Sequence, residues 1–313
     1  MDTLEQELRV VLGDELKTNV LLREHTSIGV GGIADLFYVA KNIEDLVAAT
    51  NAAYKLKIPF IVLGGGYNVV FSDYGFSGLI IKNESSNVVV NKETGEIIAD
   101  SGLVLGKILN LAASYDLGGL EFLAGVPGTL GGAVYNNAGS KSLGIGDYVK
   151  SVTVLEERMG KLAVVRHSHE WMDFKYRGSK LKNGNKNKEF KPVILTVKIQ
   201  LAQKRKDEIL RTIIENLEQK KLTQPLSDKS AGSFFKNPGR VREQSAGYLL
   251  ENSGAKKLRV GGASVSSKHA NFVINRKNAS AKDVRILADE MREAVKRNFH
   301  ITLEEEVEYL GKW

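Results

Sequence analysis

The chain has 313 residues, 42% hydrophobic and 26% charged, an ordinary globular balance that allows two or three compact units and excludes a disordered or fibrous protein. The formal net charge of +7 suits an acidic partner such as nucleic acid, an anionic membrane or a phosphorylated small molecule, but the charge is diffuse, and Lys204 to Lys206 and the lysines between Lys180 and Lys191 read as solvated surface. The absence of cysteine excludes disulfides, thiolate metal sites, cysteine nucleophiles and cysteinyl flavin links.

The N-terminal stretch MDTLEQELRVVLGDELK is acidic and amphipathic. It predicts a surface helix over 2–16 and lacks the basic and apolar regions of a secretory signal. IADLFYVA (33–40) predicts a strand. Asn42 with Asp45 forms an N-cap pair for a helix running to about Lys55. IPFIVL (58–63) predicts a buried strand that meets Gly64-Gly65-Gly66, and GLIIKN (78–83) predicts another. Residues 87–102 predict a hairpin turning at Thr94-Gly95, and 103–117 have helical spacing. A second hairpin spans 150–166 with its turn near Met159-Gly160. VILTVKIQL (193–201) alternates as a strand, and a helix follows from Lys204 to Lys221.

Beyond it the pattern predicts a helix over 242–252, strands near 258–265 and 271–275, a helix from Ser280 with Asp283 to about Asn298, and a closing strand, TLEEEVEYL (302–310). Mixed helices and strands with frequent hairpins predict an α+β fold rather than a regular βαβ series. The low-complexity patch Lys182–Lys188 predicts a mobile loop. No apolar run approaches the ~20 residues needed to span a bilayer, so the expectation is a soluble cytoplasmic protein without membrane insertion.

Three glycine clusters stand out. Gly29 to Ala34 fits the loose pattern G-x-G-x-x-A, but that fingerprint must open a helix, and here a strand follows, so a Rossmann site is rejected. LGGGYNVVFSD (63–73) follows a buried strand, and its successive N–H groups can form an anion-binding concavity, with Asn68 adding a donor; a tight turn is the plain alternative. GGLEFLAGVPGTLGGAVYNNAG (118–139) is glycine-rich, with Pro127 fixing one turn. Such a backbone can approach a large flat or phosphorylated ligand closely. AGSFFKNPG (231–239) is either a strand end entering a Pro-Gly turn or a site for its serine.

LGGGYNVVFSD, GLEFLAGVPGTLGGAVYNNAG, DFKYRGSKLK, AGSFFKNPG, SSKHANFVIN and LEEEVEYLG occur in the order seen in the UDP-N-acetylenolpyruvoylglucosamine reductase family. The chain resembles that family from about Thr26 to Gly311. The glycine loops alone match the wider vanillyl-alcohol-oxidase-like (PCMH-type) FAD proteins; GSFFKNP with LEEEVEYLG is the more specific pair. The resemblance implies a two-lobed FAD-binding fold plus an α+β substrate domain, divided as 1–82 with 304–313, 83–205, and 206–303. It implies reduction of an enolpyruvyl UDP-sugar in peptidoglycan precursor synthesis, with non-covalent FAD as cofactor and NADPH as co-substrate, in a monomer.

By motif match, Gly64, Gly65, Gly66, Tyr67 and Asn68 would hold the FAD pyrophosphate. Gly125, Pro127, Gly128, Thr129, Gly131, Gly132 and Asn137 would line the flavin. Arg177, Ser233 and Glu306 match the catalytic trio. Tyr176, Lys221, Lys236 and Asn237 match substrate-binding positions, with Lys220 competing with Lys221. The chain departs from the family at Gly29, which is usually basic, at Ile33, usually proline, and at Ser140 to Gly144. The short interval from Arg177 to Ser233 resembles the branch lacking a tyrosine-bearing loop over the substrate.

The chemistry explains why a serine would suffice. Hydride addition to an enolpyruvyl ether leaves a carbanion conjugated with a carboxylate, a base strong enough to take a hydroxyl proton. The larger task is stabilising the developing charge with preorganised donors. Arg177 can give a carboxylate two parallel hydrogen bonds. Glu306 can help only when protonated, which burial near an anion favours. Each also has a plain alternative: Arg177 as a surface cation, Glu306 as one of three acids on a strand that sends Glu305 to the opposite face. His269 reads as a capping or core residue, and His167 with His169 makes a weak metal case, so no metal is expected. Two other readings stand beside the reductase. One is an FAD oxidase or dehydrogenase of the wider superfamily, which GSFFKNP and LEEEVEYLG argue against. The other is a basic nucleic-acid binder, against which the lack of helix-turn-helix, RNP or zinc signatures weighs.

Overall fold

A computed structural model describes residues 2–140, 142–184, 190–239 and 241–313. Most of the predicted elements are observed. The Asp2–Leu12 helix is followed by the Ile33–Ala40 strand and the Ile43–Lys55 helix, where Asn42 Oδ1 accepts the Asp45 N–H at 2.7 Å. Phe60–Leu63 lies parallel to the Phe76–Asn83 strand, with Phe60 opposite Leu79 and Leu63 opposite Lys82. Both predicted hairpins form: Val88–Asn91 with Glu96–Asp100, and Val149–Arg158 with Lys161–Ser168.

The predicted patch 182–188 divides. Lys182 and Asn183 end the short Lys180–Asn183 helix, and 185–188 lie outside the described residues. The 242–252 helix begins only at Ala246, because Ser245 adopts an extended backbone and caps the Ala246–Asn252 helix through its Oγ. The predicted closing strand shrinks to Glu308–Leu310, parallel to Val69–Phe71. Upstream of it the chain changes partner, with Glu306 N–H donating to Phe234 O and Glu308 N–H to Asn68 O, so one continuous ladder does not form.

The backbone groups into two units. The first comprises 1–17, 37–65 and 79–218. Its five-stranded sheet runs in the spatial order Lys161–Ser168, Val149–Arg158, Val193–Gln200, Glu96–Asp100, Val88–Asn91. One core packs this sheet against the Leu105–Ser114 and Leu130–Asn136 helices, with Ile97, Ile108, Leu130, Val134 and Val197 fully buried.

The second unit comprises 18–36, 66–78 and 219–313. Its four-stranded sheet has the order Ser230–Ser233, Phe272–Asn275, Ala263–Val265, Arg259–Val260. The Ala281–Phe299 helix buries Val284, Leu287, Met291 and Val295 in the same core as Phe234 and Val273. Ser280 and Asp283 form a reciprocal capping box at its start, as their spacing predicts.

Candidate active site

In the second unit, three segments meet around Ser233. Ser230 pairs with Ile274 and Ser233 with Phe272, so two residues on one strand face one on the other. This bulge turns at Gly232, whose φ of +77° is left-handed and suits glycine. The bulge re-aims Ser233, which is half-buried. Phe234 and Phe235 then enter the core at 0% and 1% exposure, each burial stabilising by about 1.5–3 kcal/mol.

The backbone of Phe235 is paired by a side chain. Its N–H donates to Asn271 Oδ1 at 2.9 Å, and its C=O accepts from Asn271 Nδ2 at 2.8 Å. Sequence reasoning did not select Asn271, because an amide that mimics a neighbouring strand has no local signature. Asn271→Ala leaves both polar groups buried without a partner and is expected to cost about 2–3 kcal/mol in chemical denaturation. A loss below about 0.5 kcal/mol, the level of a neutral surface change, would show that water replaces the amide.

The 304–306 segment lies beside this strand. Lys236 N–H donates to Glu304 O at 2.8 Å, and Glu306 N–H to Phe234 O at 2.9 Å. Glu304 forms an ion pair with Lys236 Nζ, while Glu305 binds Arg292 at 2.7 Å and accepts from the Tyr309 hydroxyl at 3.0 Å. Glu306 is fixed by its main chain from both sides, since its C=O also accepts from Asn68 Nδ2 at 3.1 Å. The glycine loop closes the group: Ser27 Oγ donates to Ser230 O at 2.6 Å and reaches Gly66 O at 3.3 Å. Gly66 has φ +73°, and a Cβ there would stand 2.2 Å from His25 O. The structure thus brings Gly66, Tyr67, Asn68, Ser233, Lys236 and Glu306 together.

Other predicted residues of this unit have structural partners. Asn237 Oδ1 accepts the Ala246 N–H at 3.0 Å. Lys221 is exposed, and its C=O accepts from Lys268 Nζ; Lys220 is half-buried. His269 is a capping residue, as expected. Its Nδ1 accepts the Asn271 N–H at 3.1 Å, and burial, then Lys256, hold its pKa below the usual range. At the departure Gly29 the φ is +69°, a left-handed backbone that suits glycine, and the Cβ position lies 3.2 Å from Lys229 Cδ.

In the first unit, Gly64 packs on Thr129: a Cβ would stand 2.5 Å from Thr129 Oγ1. Thr129 caps the Leu130–Asn136 helix by accepting from the Gly132 N–H. Gly128 C=O accepts from the Leu105 N–H at 3.0 Å, and Gly131 N–H donates to Ser101 O at 2.7 Å. Gly125 and Gly128 both have left-handed φ, +72° and +118°, with Pro127 between them. Asn137 ends the helix in the left-handed region, and its side chain reaches the Lys175–Gly178 turn that carries Tyr176 and Arg177. The Arg177 guanidinium lies 5.7 Å from the centre of the Tyr176 ring. In the Ser140–Gly144 departure, Ser140 N–H donates to Leu143 O at 2.8 Å, and Lys141 lies outside the described residues.

These residues fit an anionic cofactor. Among the described residues, the N–H groups of Gly65, Gly66 and Tyr67 donate to no protein acceptor, as a diphosphate cradle requires. Among the described residues, a Cβ on Gly132 would find only Thr129 Oγ1 outside its own helix, at 3.5 Å, so backbone is accessible there. The described residues contain no cluster of three metal-ligating side chains, and no helix among them is long and apolar enough to cross a membrane.

The chain is similar to known proteins over nearly its whole length. Residues 34–166 match the family model of an FAD binding domain, and 224–310 match the C-terminal domain of UDP-N-acetylenolpyruvoylglucosamine reductase. The reductase of Clostridium novyi is 37% identical over 96% of this chain and 93% of its own length. That of Moorella thermoacetica is 38% identical over 100% and 99%. The crystal structure of the Thermus caldophilus reductase superposes with a TM-score of 0.75 at 34% identity, covering 93% of this chain and 97% of that one. With an α+β fold that holds an FAD-binding domain and a reductase C-terminal domain, and with relatives matched over nearly its whole length, the chain belongs to the UDP-N-acetylenolpyruvoylglucosamine reductase family.

Proposed function

We propose that the protein reduces the enolpyruvyl group of UDP-N-acetylglucosamine enolpyruvate to UDP-N-acetylmuramate, the peptidoglycan precursor, as a cytoplasmic monomer with non-covalent FAD and NADPH. The observation that carries this reading is the grouping of Ser233, the Glu306 segment and the Gly66–Asn68 loop in one unit. The residues 1–82 with 304–313 and 83–205 serve the cofactor, and 206–303 serve the substrate. The matches at 34–166 and 224–310 support only the coarser reading of a cofactor-binding part followed by a C-terminal reductase part.

Gly64 to Asn68 would hold the diphosphate of the cofactor, and Gly125 to Gly132 would hold its flavin. FAD held there would supply, after reduction by NADPH, the hydride for the terminal carbon of the enolpyruvyl group. Arg177 grips the substrate carboxylate, on which negative charge develops. Ser233 gives its hydroxyl proton to the carbon bearing that carboxylate. Glu306, in its protonated form, donates a hydrogen bond to the same charge. Tyr176, Lys221, Lys236 and Asn237 bind the remainder of the UDP-sugar. Residues 178–232 contain no tyrosine, so no tyrosine from that interval covers the substrate.

Acid precipitation of the pure protein is expected to release all flavin into the supernatant, as a non-covalent cofactor requires; the chain has no cysteine for a cysteinyl link. NADPH and substrate are expected to alternate at one site, giving parallel lines in double-reciprocal plots. A ternary complex of enzyme, NADPH and a substrate analogue contradicts that order. Rapid oxygen-driven turnover of an alcohol favours the oxidase instead.

A further inference from the structure

Three successive residues at the end of the Leu130–Asn136 helix hold the segment that carries Arg177. Tyr135 C=O accepts from Ser179 Oγ at 2.8 Å, and Asn136 Oδ1 accepts from Lys182 Nζ at 2.6 Å. Asn137 Nδ2 donates to Lys175 O at 2.9 Å, inside the turn itself. That turn is closed by Lys175 N–H to Gly178 O at 3.0 Å and Gly178 N–H to Lys175 O at 3.1 Å. Lys175 O therefore accepts two bonds, one from its own turn and one from Asn137.

Asn137 cannot turn away. Its Oδ1 accepts the Gly146 N–H at 2.9 Å. A Cβ on Gly144 would stand 2.5 Å from that oxygen, so the glycine allows the close packing. Exchanging the amide oxygen and nitrogen would set donor against donor at Gly146 and acceptor against acceptor at Lys175, which fixes the orientation. The backbone of Asn137 is left-handed, φ 46° and ψ 61°, a conformation asparagine tolerates better than most side chains. Arg177 also has a left-handed φ, +55°, which a long side chain keeps only when its surroundings over-determine it.

We propose that Asn137 is a positioning residue for the reaction: its side chain pins the Lys175–Gly178 turn and so aims Arg177, instead of touching the cofactor. The inference rests on the reading of Arg177 as the residue that grips the substrate carboxylate. It assigns to an asparagine of the glycine-rich cofactor motif a task directed at the substrate.

Two variants separate the roles. Asn137→Gly removes both side-chain bonds and keeps the left-handed backbone at no steric cost. Asn137→Asp keeps an acceptor for Gly146 and loses the donor to Lys175. Both are expected to retain FAD with an unchanged absorption spectrum and to be reduced by NADPH within about twofold of the wild-type rate. Oxidation of the reduced enzyme by UDP-N-acetylglucosamine enolpyruvate is expected to slow about tenfold to a hundredfold, the effect of misplacing a reacting partner by up to an ångström. Amide hydrogen exchange across residues 175–178 is expected to rise in both variants. In an Arg177→Lys background, Asn137→Gly should cost little more, because it acts through the arginine.

An altered flavin spectrum or slowed reduction by NADPH in both variants returns Asn137 to the cofactor site and overturns the proposal. Unchanged exchange across 175–178, or oxidation at the wild-type rate, also overturns it. If Arg177→Lys alone is oxidised at the wild-type rate, the reading of Arg177 fails instead, while the exchange measurement still decides whether Asn137 pins the turn.

Discussion

Ser233→Ala is expected to bind FAD and to be reduced by NADPH at a near-normal rate, yet to be oxidised by the enolpyruvyl substrate ~10² to 10⁴-fold more slowly, the usual span for losing a positioned acid. The two half-reactions part because only the second consumes a proton at carbon. The substitution keeps the strand. Alanine leaves the bulge at Gly232 and the buried pair Phe234 and Phe235 in place, and Asn271 still pairs the Phe235 backbone. Melting temperature should therefore stay near that of the wild type, which separates loss of the hydroxyl from loss of the fold. The decisive measurement is stopped-flow oxidation of the pre-reduced enzyme by substrate. A Ser233→Ala enzyme oxidised at the wild-type rate makes the serine structural and leaves AGSFFKNPG as a strand end with a Pro-Gly turn.

Elements of both units were legible in the sequence where their cause is local. Caps at Asn42 and Ser280 satisfy helix N–H groups three residues on, and hairpins turn at glycines, so each can be read within one short window. The last strand was legible but its extent was not, because its partners change along its length. Glu306 N–H bonds Phe234 O, whereas Glu308 N–H bonds Asn68 O, and the chain must bend between them. Nor could the sequence separate the roles of the three acids. Glu305 is committed to Arg292 and Tyr309, residues 13 and 4 positions away along the chain, one on the long C-terminal helix and one on the last strand. The glycine clusters were legible as loops, but the reason for each glycine was tertiary: Gly64 makes room for Thr129, and Gly66 for the His25 carbonyl.

Arg177→Lys is expected to lower the rate of substrate-driven oxidation by ~10² to 10³-fold, the cost of losing a preorganised donor at a developing charge. The guanidinium presents two parallel N–H groups to a planar carboxylate, and an ammonium on a flexible stem cannot reproduce that two-point grip, although it keeps the charge. The fold gives the arginine a fixed platform: a closed turn at 175–178, a left-handed backbone at Arg177 itself, and the Tyr176 ring 5.7 Å away. Lysine occupies the same backbone conformation at similar cost, so the variant tests the head group and not the turn. Glu306→Gln supplies the control for charge against hydrogen bonding. Glutamine keeps a donor and does not titrate, so it should lose less activity than Glu306→Ala, and its rate should vary less with pH than the wild type. The same stopped-flow trace reads all three variants, with reduction by NADPH as the internal reference. If Arg177→Lys slows reduction by NADPH as much as oxidation by substrate, the arginine serves the cofactor and not the carboxylate. If Glu306→Gln and Glu306→Ala lose activity equally, the acid contributes a proton or a charge that an amide cannot replace.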